Sequence, residues 1–340
     1  MIVKNICDMH CHVREGDMFY RVIEASTKNR DYLVAMPNLK KPITDCRSMV
    51  QYYDIEYATP VIPCKILKTL YLIKDLTWQE LTKCQDKGLF ALKVYPRNMT
   101  TNSIYGLNPE DYTSDWFYRI LEFCEQRSLP VLFHPEFPGT SCLHSEKAFI
   151  HLMYNIFHQF PKLQITLEHI TSWQTVDFIK EARMMGYNIA ATITAHHLYL
   201  TIDDVIGRPI NTCKPVAKEA IDRAFLLEAI NHEGFFLGSD SAPHHIDAKY
   251  VDCCAFGCYT APYLIEYIAH ILYKNKMINL FEQFTRKRAL HFYGLNDVDT
   301  GERIELNFES RTKIPKKEQL ILEPFMAEEV FNVQVRSIRI

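Results

Sequence analysis

Two histidines sit two residues apart in DMHCHVREGDM (8–18), and Arg14 follows at the same spacing as His10 and His12. On a helix the three would fan round the axis, but on a strand residues i, i+2 and i+4 share a face. Neutral imidazole is a ligand for zinc and similar divalent ions, and a guanidinium is a planar fork for a carboxylate. Four further residues could join them: Lys93 in ALKVYP, His134 in LPVLFHP, His169 in LQITLEHI and Asp240 in GSDSAPHH. An ammonium inside an apolar strand is costly unless paired or neutralised. Four imidazoles and a carboxylate exceed what one tetrahedral ion takes, so the set suits two divalent ions. Two neighbouring ions need an anionic bridge. A lysine amine that has added CO2 is a carbamate, with the required charge and two oxygens. Singly, each residue has a blander reading: a strand-end His as a satisfied polar group, Asp240 as a helix cap. Their joint placement is what needs explaining.

These residues are far apart in sequence, so a fold must gather them. Apolar runs read as strands at 5–12, 32–38, 64–72, 90–96, 129–135, 163–170, 188–194 and 235–241. Helical patterns lie between them, at 46–58, 77–88, 114–128 and 171–186 among others. Thr77 followed by Glu80 reads as a capping box, with Gly88 as the C-cap residue. Strands alternating with helices argue for a parallel sheet, and eight such units predict an α/β protein of the closed (β/α)8 TIM-barrel kind. An open doubly wound sheet would usually show a Gly-rich phosphate loop after its first strand, and none is present. In a barrel the C-terminal strand ends form one mouth, and the six chemical residues fall at such ends of five strands. The barrel is expected over about 5–295. The runs EQLILEPF and EEVFNVQVRSI predict a small C-terminal β appendage over about 296–340, within a single barrel domain spanning 1–340.

The 340 residues are 48% hydrophobic and 23% charged, an ordinary globular profile with length for a large core. Net charge is −3 without long charge runs, so nothing points to nucleic acid or a membrane surface. No apolar run reaches membrane-spanning length and the N-terminus has no apolar signal core, so a cytoplasmic setting is expected. The eleven cysteines, an odd number, read as reduced thiols. Cys253, Cys254 and Cys258 share a loop, but no second metal-spaced pair accompanies them, and a structural zinc takes four ligands. His144, His151, His158, His232, His270 and His291 fall in helical or loop stretches and are assigned no role.

H-x-H on the first strand, Lys on the fourth, His on the fifth and sixth and Asp on the eighth together resemble the amidohydrolase superfamily. DMHCHVREGDM, AMPN (35–38), KVYPRNMTTN (93–102), EHIT (168–171), ATIT (191–194) and GSDSAPH (238–244) resemble the dihydroorotases in their short single-domain form typical of bacteria, from about residue 6 to 330. The resemblance implies reversible cyclisation of N-carbamoyl-L-aspartate to L-dihydroorotate, a step of de novo pyrimidine biosynthesis. It implies two Zn2+ ions. His10, His12, carboxylated Lys93 and Asp240 would hold one, the same Lys93 with His134 and His169 the other, with a hydroxide between them. Asp240 would also shuttle the proton. Arg14, Asn38 and His244 would bind the substrate carboxylate, and Thr100 and Thr101 would ride a mobile loop that closes over it. Homodimers are common in that family, although no interface signal is visible here. The chain departs from the family pattern at Pro135 and Glu328, both positions where Gly is usual, and in a shortened segment before Cys213-Lys214-Pro215. None of these removes a ligand. A dihydropyrimidinase or hydantoinase-like enzyme would share the metal pattern without needing the carboxylate clamp. Such enzymes tend to carry a sandwich domain built from both termini, and only nine residues precede His10 here. A catalytically inactive scaffold would be expected to have lost ligands, and a deaminase barrel would leave Lys93 and the TTN loop unexplained.

Overall fold

A computed structural model describes residues 1–340 except 56–61, 63, 319–320 and 340. After β1 (Ile2–Lys4) come β2 (Ile6–Cys11), β3 (Arg30–Ala35), β4 (Lys65–Tyr71), β5 (Leu89–Val94), β6 (Val131–Phe133), β7 (Ile165–Leu167), β8 (Ile189–Ile193) and β9 (Phe235–Leu237). Strands β2 to β9 pair in sequence order, each parallel to the next. The seam closes just past β9, where Asp240 N donates to His10 O at 2.8 Å and His12 N to Ser241 O at 3.0 Å. This is the expected (β/α)8 barrel. Its strands are buried on both faces, which is why they read as near-continuous apolar runs.

Inside the barrel, Val34, Ala91, Leu132, Ala190 and Phe236 pack together, closed from below by Ala289 and Leu290 of the helix Arg288–Tyr293. Two residues further along their strands, the same face carries Lys93, His134, Thr192 and Gly238. The core layer therefore sets the phase of the mouth. Strand β2 is the exception. Its register shifts between Asp8 and Cys11; Cys7 and Met9 pack inside, whereas Cys11 and Val13 join the outer core. Unbroken alternation from Met9 would have aimed Cys11 inward. The irregularity reverses the phase and brings His10 and His12 to the mouth. Gly238 makes room for them: a Cβ there would lie 2.8 Å from Thr192 Cβ and 2.9 Å from His10 Cβ.

The outer helices Trp78–Asp86, Asp115–Gln126 and Trp173–Met184 start at Thr77, Ser114 and Ser172, whose side chains accept from the third backbone N–H beyond. The capping box at Thr77 is only half formed. The Glu80 carboxylate accepts instead from Cys46 N at 2.9 Å, an orphan donor at the start of the helix Cys46–Val50. That helix continues as the π-helical turn Gln51–Ile55, and the expected extension over 56–58 lies outside the described residues.

The appendage is antiparallel. β10 (Glu302–Asn307) pairs with both β1 and β13 (Gln334–Arg339), and β11 (Thr312–Lys313) pairs with β12 (Val330–Phe331). The N-terminus thus contributes to what the sequence suggests is a C-terminal element. A three-residue strand has too few positions for alternation to be visible. EQLILEPF forms only an isolated Glu318–Leu322 bridge among the described residues, and 319–320 lie outside them.

Arg286, 1% exposed, pins the N-terminal end of the barrel. It donates to Asp31, to Asn5 O at 2.8 Å and to Asp297 Oδ1 at 2.6 Å. Arg286→Met is expected to cost about 3–5 kcal/mol in urea unfolding, because Asp31 is left buried without its cation. A loss below about 1 kcal/mol would show that the ion pair is not holding this end together.

Candidate active site

The strand ends bring the six nominated ligands to one place. Lys93 lies on β5, His134 directly follows β6, and His169 and Asp240 lie just beyond β7 and β9. Ligand atoms of His10, His12 and Asp240 lie within 4.8 Å of one another. Asp240 Oδ1 is 3.0 Å from His12 Nε2 and 3.4 Å from His10 Nε2. The rings of His10 and His169 are 4.9 Å apart, and those of His134 and His169 4.7 Å. Burial drives His10 and His169 well below the usual imidazole range and also lowers His12 and His134. All four are therefore neutral, the form that ligates a metal.

Two buried carboxylates orient these rings. Glu168 Oε2 lies 2.7 Å from His10 Nδ1, so that nitrogen carries the proton and Nε2 is bare toward the mouth. The same oxygen accepts from Thr192 Oγ1 at 2.7 Å. Glu136 Oε2 is 2.7 Å from His134 Nε2, leaving Nδ1 of that ring to face a ligand. Burial raises Glu168 to about 7, with Lys93 pulling the other way. Lys93 is 0% exposed and its Nζ has no hydrogen-bond partner. Burial pulls its ammonium down to about 8, offset in part by Glu168 and Asp240. The Tyr95 ring is the nearby aromatic, its centroid 5.1 Å from Nζ.

Arg14 lies past the end of β2 rather than on it, with φ 61°, so strand alternation alone does not aim it. It nevertheless lines the same pocket as His10 and His12. Its Nε donates to Pro243 O at 2.9 Å, and its Nη2 is 2.9 Å from His244 Nε2. That nitrogen is also 2.9 Å from Phe256 O. The two contacts demand opposite tautomers: facing Arg14 the nitrogen must be bare, facing a carbonyl it must carry hydrogen. An anionic oxygen accepting from both Arg14 and His244 would relieve this conflict. Asn38 Nδ2 donates to Thr101 O at 3.2 Å, and Asn102 Nδ2 to Asn38 O at 3.1 Å. These bonds hold the loop bearing Thr100 and Thr101 across the pocket, which both residues line.

Arg14, His169 and Asp240 have φ of 61°, 40° and 42°, left-handed values uncommon for non-glycine residues. Strain concentrated at three residues of one pocket is typical of functional sites. The sequence reading missed Glu136 and Glu168, as well as Tyr95, Lys214 and Phe256, which line the pocket. Glu168 was legible in principle, as a carboxylate inside an apolar strand next to a nominated ligand. Lys214 was not, since its place depends on a loop with no periodicity. Among the described residues no helix is long and apolar enough to cross a membrane.

No protein-family model matches the chain. A dihydroorotase of Saccharomyces cerevisiae is 34% identical over 338 residues, covering 93% of this chain and 89% of the relative. A dihydroorotase of Nitrosococcus oceani is 34% identical over 321 residues, covering 91% of each. The crystal structure of dihydroorotase in complex with 5-fluoroorotic acid from S. cerevisiae superposes with a TM-score of 0.92 at 32% identity, covering 100% of this chain and 99% of that one. An L-hydantoinase from Arthrobacter aurescens reaches a TM-score of 0.82 at 14% identity, a likeness of fold alone. With identity above 30% along nearly the whole length of both chains, this chain belongs to the dihydroorotase family of the amidohydrolase superfamily.

Proposed function

We propose that the chain interconverts N-carbamoyl-L-aspartate and L-dihydroorotate with the help of two zinc ions, which the mouth histidines, Asp240 and a carboxylated Lys93 would hold. The observation that carries this is one pocket in which four neutral imidazoles and Asp240 lie with Arg14, whose guanidinium is backed by His244 from outside the pocket lining. The donor set fits a pair of divalent ions. Lys93 Nζ, His10 Nε2 and His169 Nδ1 are buried polar atoms without hydrogen-bond partners, a costly state that metal and carbamate would relieve. His10, His12, Asp240 and Lys93 would hold one ion, Lys93, His134 and His169 the other. When bound, the ions acidify water and polarise the ring amide carbonyl.

The remaining work falls to the chain. In the hydrolytic direction a water oxygen adds to the ring amide carbon and the carbon–nitrogen bond breaks. Asp240 takes the proton from the attacking water and delivers it to the departing nitrogen; cyclisation reverses each transfer. Arg14 grips the substrate carboxylate with two parallel donors, assisted by His244 and Asn38. Thr100 and Thr101 keep bulk water out while the loop is closed. Arg14→Lys keeps the charge but loses the fork. It is expected to raise KM for L-dihydroorotate about tenfold or more, the equivalent of roughly 1.5–3 kcal/mol, with a smaller change in kcat. An unchanged KM would remove Arg14 from the clamp.

The test of the whole proposal is ring opening by enzyme prepared with zinc and bicarbonate. L-dihydroorotate should be hydrolysed and dihydrouracil, which lacks the carboxylate, should not. Turnover of dihydrouracil alone would transfer the chain to the hydantoinase-like chemistry. Failure to open either ring with metal bound would favour a scaffold.

A further inference from the structure

A second cluster of ligating side chains lies outside the mouth. His196, on the helix Ala195–Tyr199 after β8, meets Cys213 and Cys258, which come from two different loops. All three are buried, and their ligand atoms lie within 4.8 Å of one another. Both ring nitrogens of His196 lack any hydrogen-bond partner although the residue is 0% exposed. An imidazole needs one donor and one acceptor interaction when buried, and its desolvation is otherwise uncompensated. The thiols have weak partners: Cys258 Sγ is 3.9 Å from Ile210 O, and Cys213 Sγ is 3.3 Å from Pro215 O.

We propose that His196, Cys213 and Cys258 bind a zinc ion that staples the 212–215 loop to the 256–258 loop. Two thiolates, a neutral imidazole and Zn2+ sum to zero charge, which suits a fully buried position. Loading exchanges the two thiol protons, released to solvent, for the ion. Zinc–sulfur and zinc–nitrogen bonds of about 2.3 Å and 2.0–2.1 Å put tetrahedral ligand atoms roughly 3.5 Å apart, so the side chains need only small shifts. The fourth ligand that a structural zinc takes falls to Ile210 O, the carbonyl 3.9 Å from Cys258 Sγ. His197 supplies the outer support. Its Nδ1 faces Thr194 Oγ1 at 2.9 Å, and its Nε2 lies 2.9 Å from Pro215 O and 3.4 Å from Cys213 Sγ, placed to donate to a thiolate. The two loops already meet elsewhere. Gly257 N donates to Thr212 O at 2.9 Å, and Lys249 Nζ bonds the carbonyls of Thr212, Ala255 and Gly257. Both loops carry pocket-lining residues, Lys214 beside Cys213 and Phe256 and Gly257 beside Cys258. The ion would fix one wall of the active site without touching substrate. This inference does not depend on the reaction proposed above.

The test is cobalt reconstitution of the metal-stripped full chain, read by absorption, with metal counted per chain. Thiolate ligation gives Co2+ an intense near-ultraviolet charge-transfer band that the imidazole and carboxylate ligands of the mouth cannot supply. The proposal expects that band in the unaltered protein, its loss in Cys258→Ser, and one fewer ion per chain in that variant. If Cys258→Ser does not fold, His196→Gln and the band of the unaltered protein decide the matter. A cobalt-loaded protein with no such band, an unchanged metal count in the variants, or a Cys213–Cys258 disulfide in anaerobically purified protein would overturn the proposal.

Discussion

Asp240→Asn is expected to lower kcat by about 10³-fold while the protein stays folded. The size follows from the loss of a group that faces His10 and His12 and that, in the proposed reaction, would move the proton; proton transfer by a positioned group is typically worth about 10²–10⁴-fold. The substitution is a clean probe for a structural reason. Asp240 has φ 42°, and Asn is among the few residues that occupy the left-handed region readily. Its backbone N–H, which donates to His10 O and closes the barrel seam, is retained. Alanine there would mix lost chemistry with backbone strain. The checks are steady-state kinetics in both directions and a melting curve within a few degrees of the unaltered protein. Near-normal kcat would assign the proton transfer elsewhere, and Glu168, raised to about 7 and bonded to His10, would be the next group to test.

Much of this arrangement is legible in the sequence because barrel physics is repetitive. Strands buried on both faces leave continuous apolar runs, and polar residues that interrupt the ends of such runs stand out. That is how Lys93, His134, His169 and Asp240 announce a shared mouth. The parts that stay hidden depend on contacts between distant segments or on local irregularity. The register shift in β2 cannot be read from ICDMHC, yet without it Cys11 would face the mouth in place of its neighbours. Thr77 and Glu80 spell a capping box, but Cys46 N competes for the Glu80 carboxylate from 34 residues away. Strand β1 shows itself only through its partner β10. Sequence spacing groups Cys258 with Cys253 and Cys254 in one loop, whereas in space Cys258 meets Cys213. Glu328, where the family usually has Gly, sits at φ 68°, a backbone position that glycine occupies without strain.

Lys93→Met should separate the two explanations for a buried lysine. If Lys93 were a structural cation, removing it would destabilise the barrel and leave metal binding alone. The structure argues the reverse. Nζ is fully buried, makes no hydrogen bond and, among the described residues, sits in no ion pair, although Glu168 and Asp240 favour its charge from further off. Such an amine destabilises the fold unless something is built on it, and CO2 adds to the neutral amine that burial favours. Methionine has similar length and no group to desolvate. In metal-free protein Lys93→Met is therefore expected to raise stability, by roughly 1–3 kcal/mol. In zinc-supplemented protein the same change should lower the bound metal and reduce kcat on the order of 10³-fold or more, because both ions lose a shared anionic ligand. Bicarbonate should speed reactivation of the unaltered, metal-stripped enzyme and have no effect on the variant. A variant that lost stability when metal-free, yet kept its zinc and its activity, would return Lys93 to a structural role and leave the orphaned nitrogens of His10 and His169 without a carbamate between them.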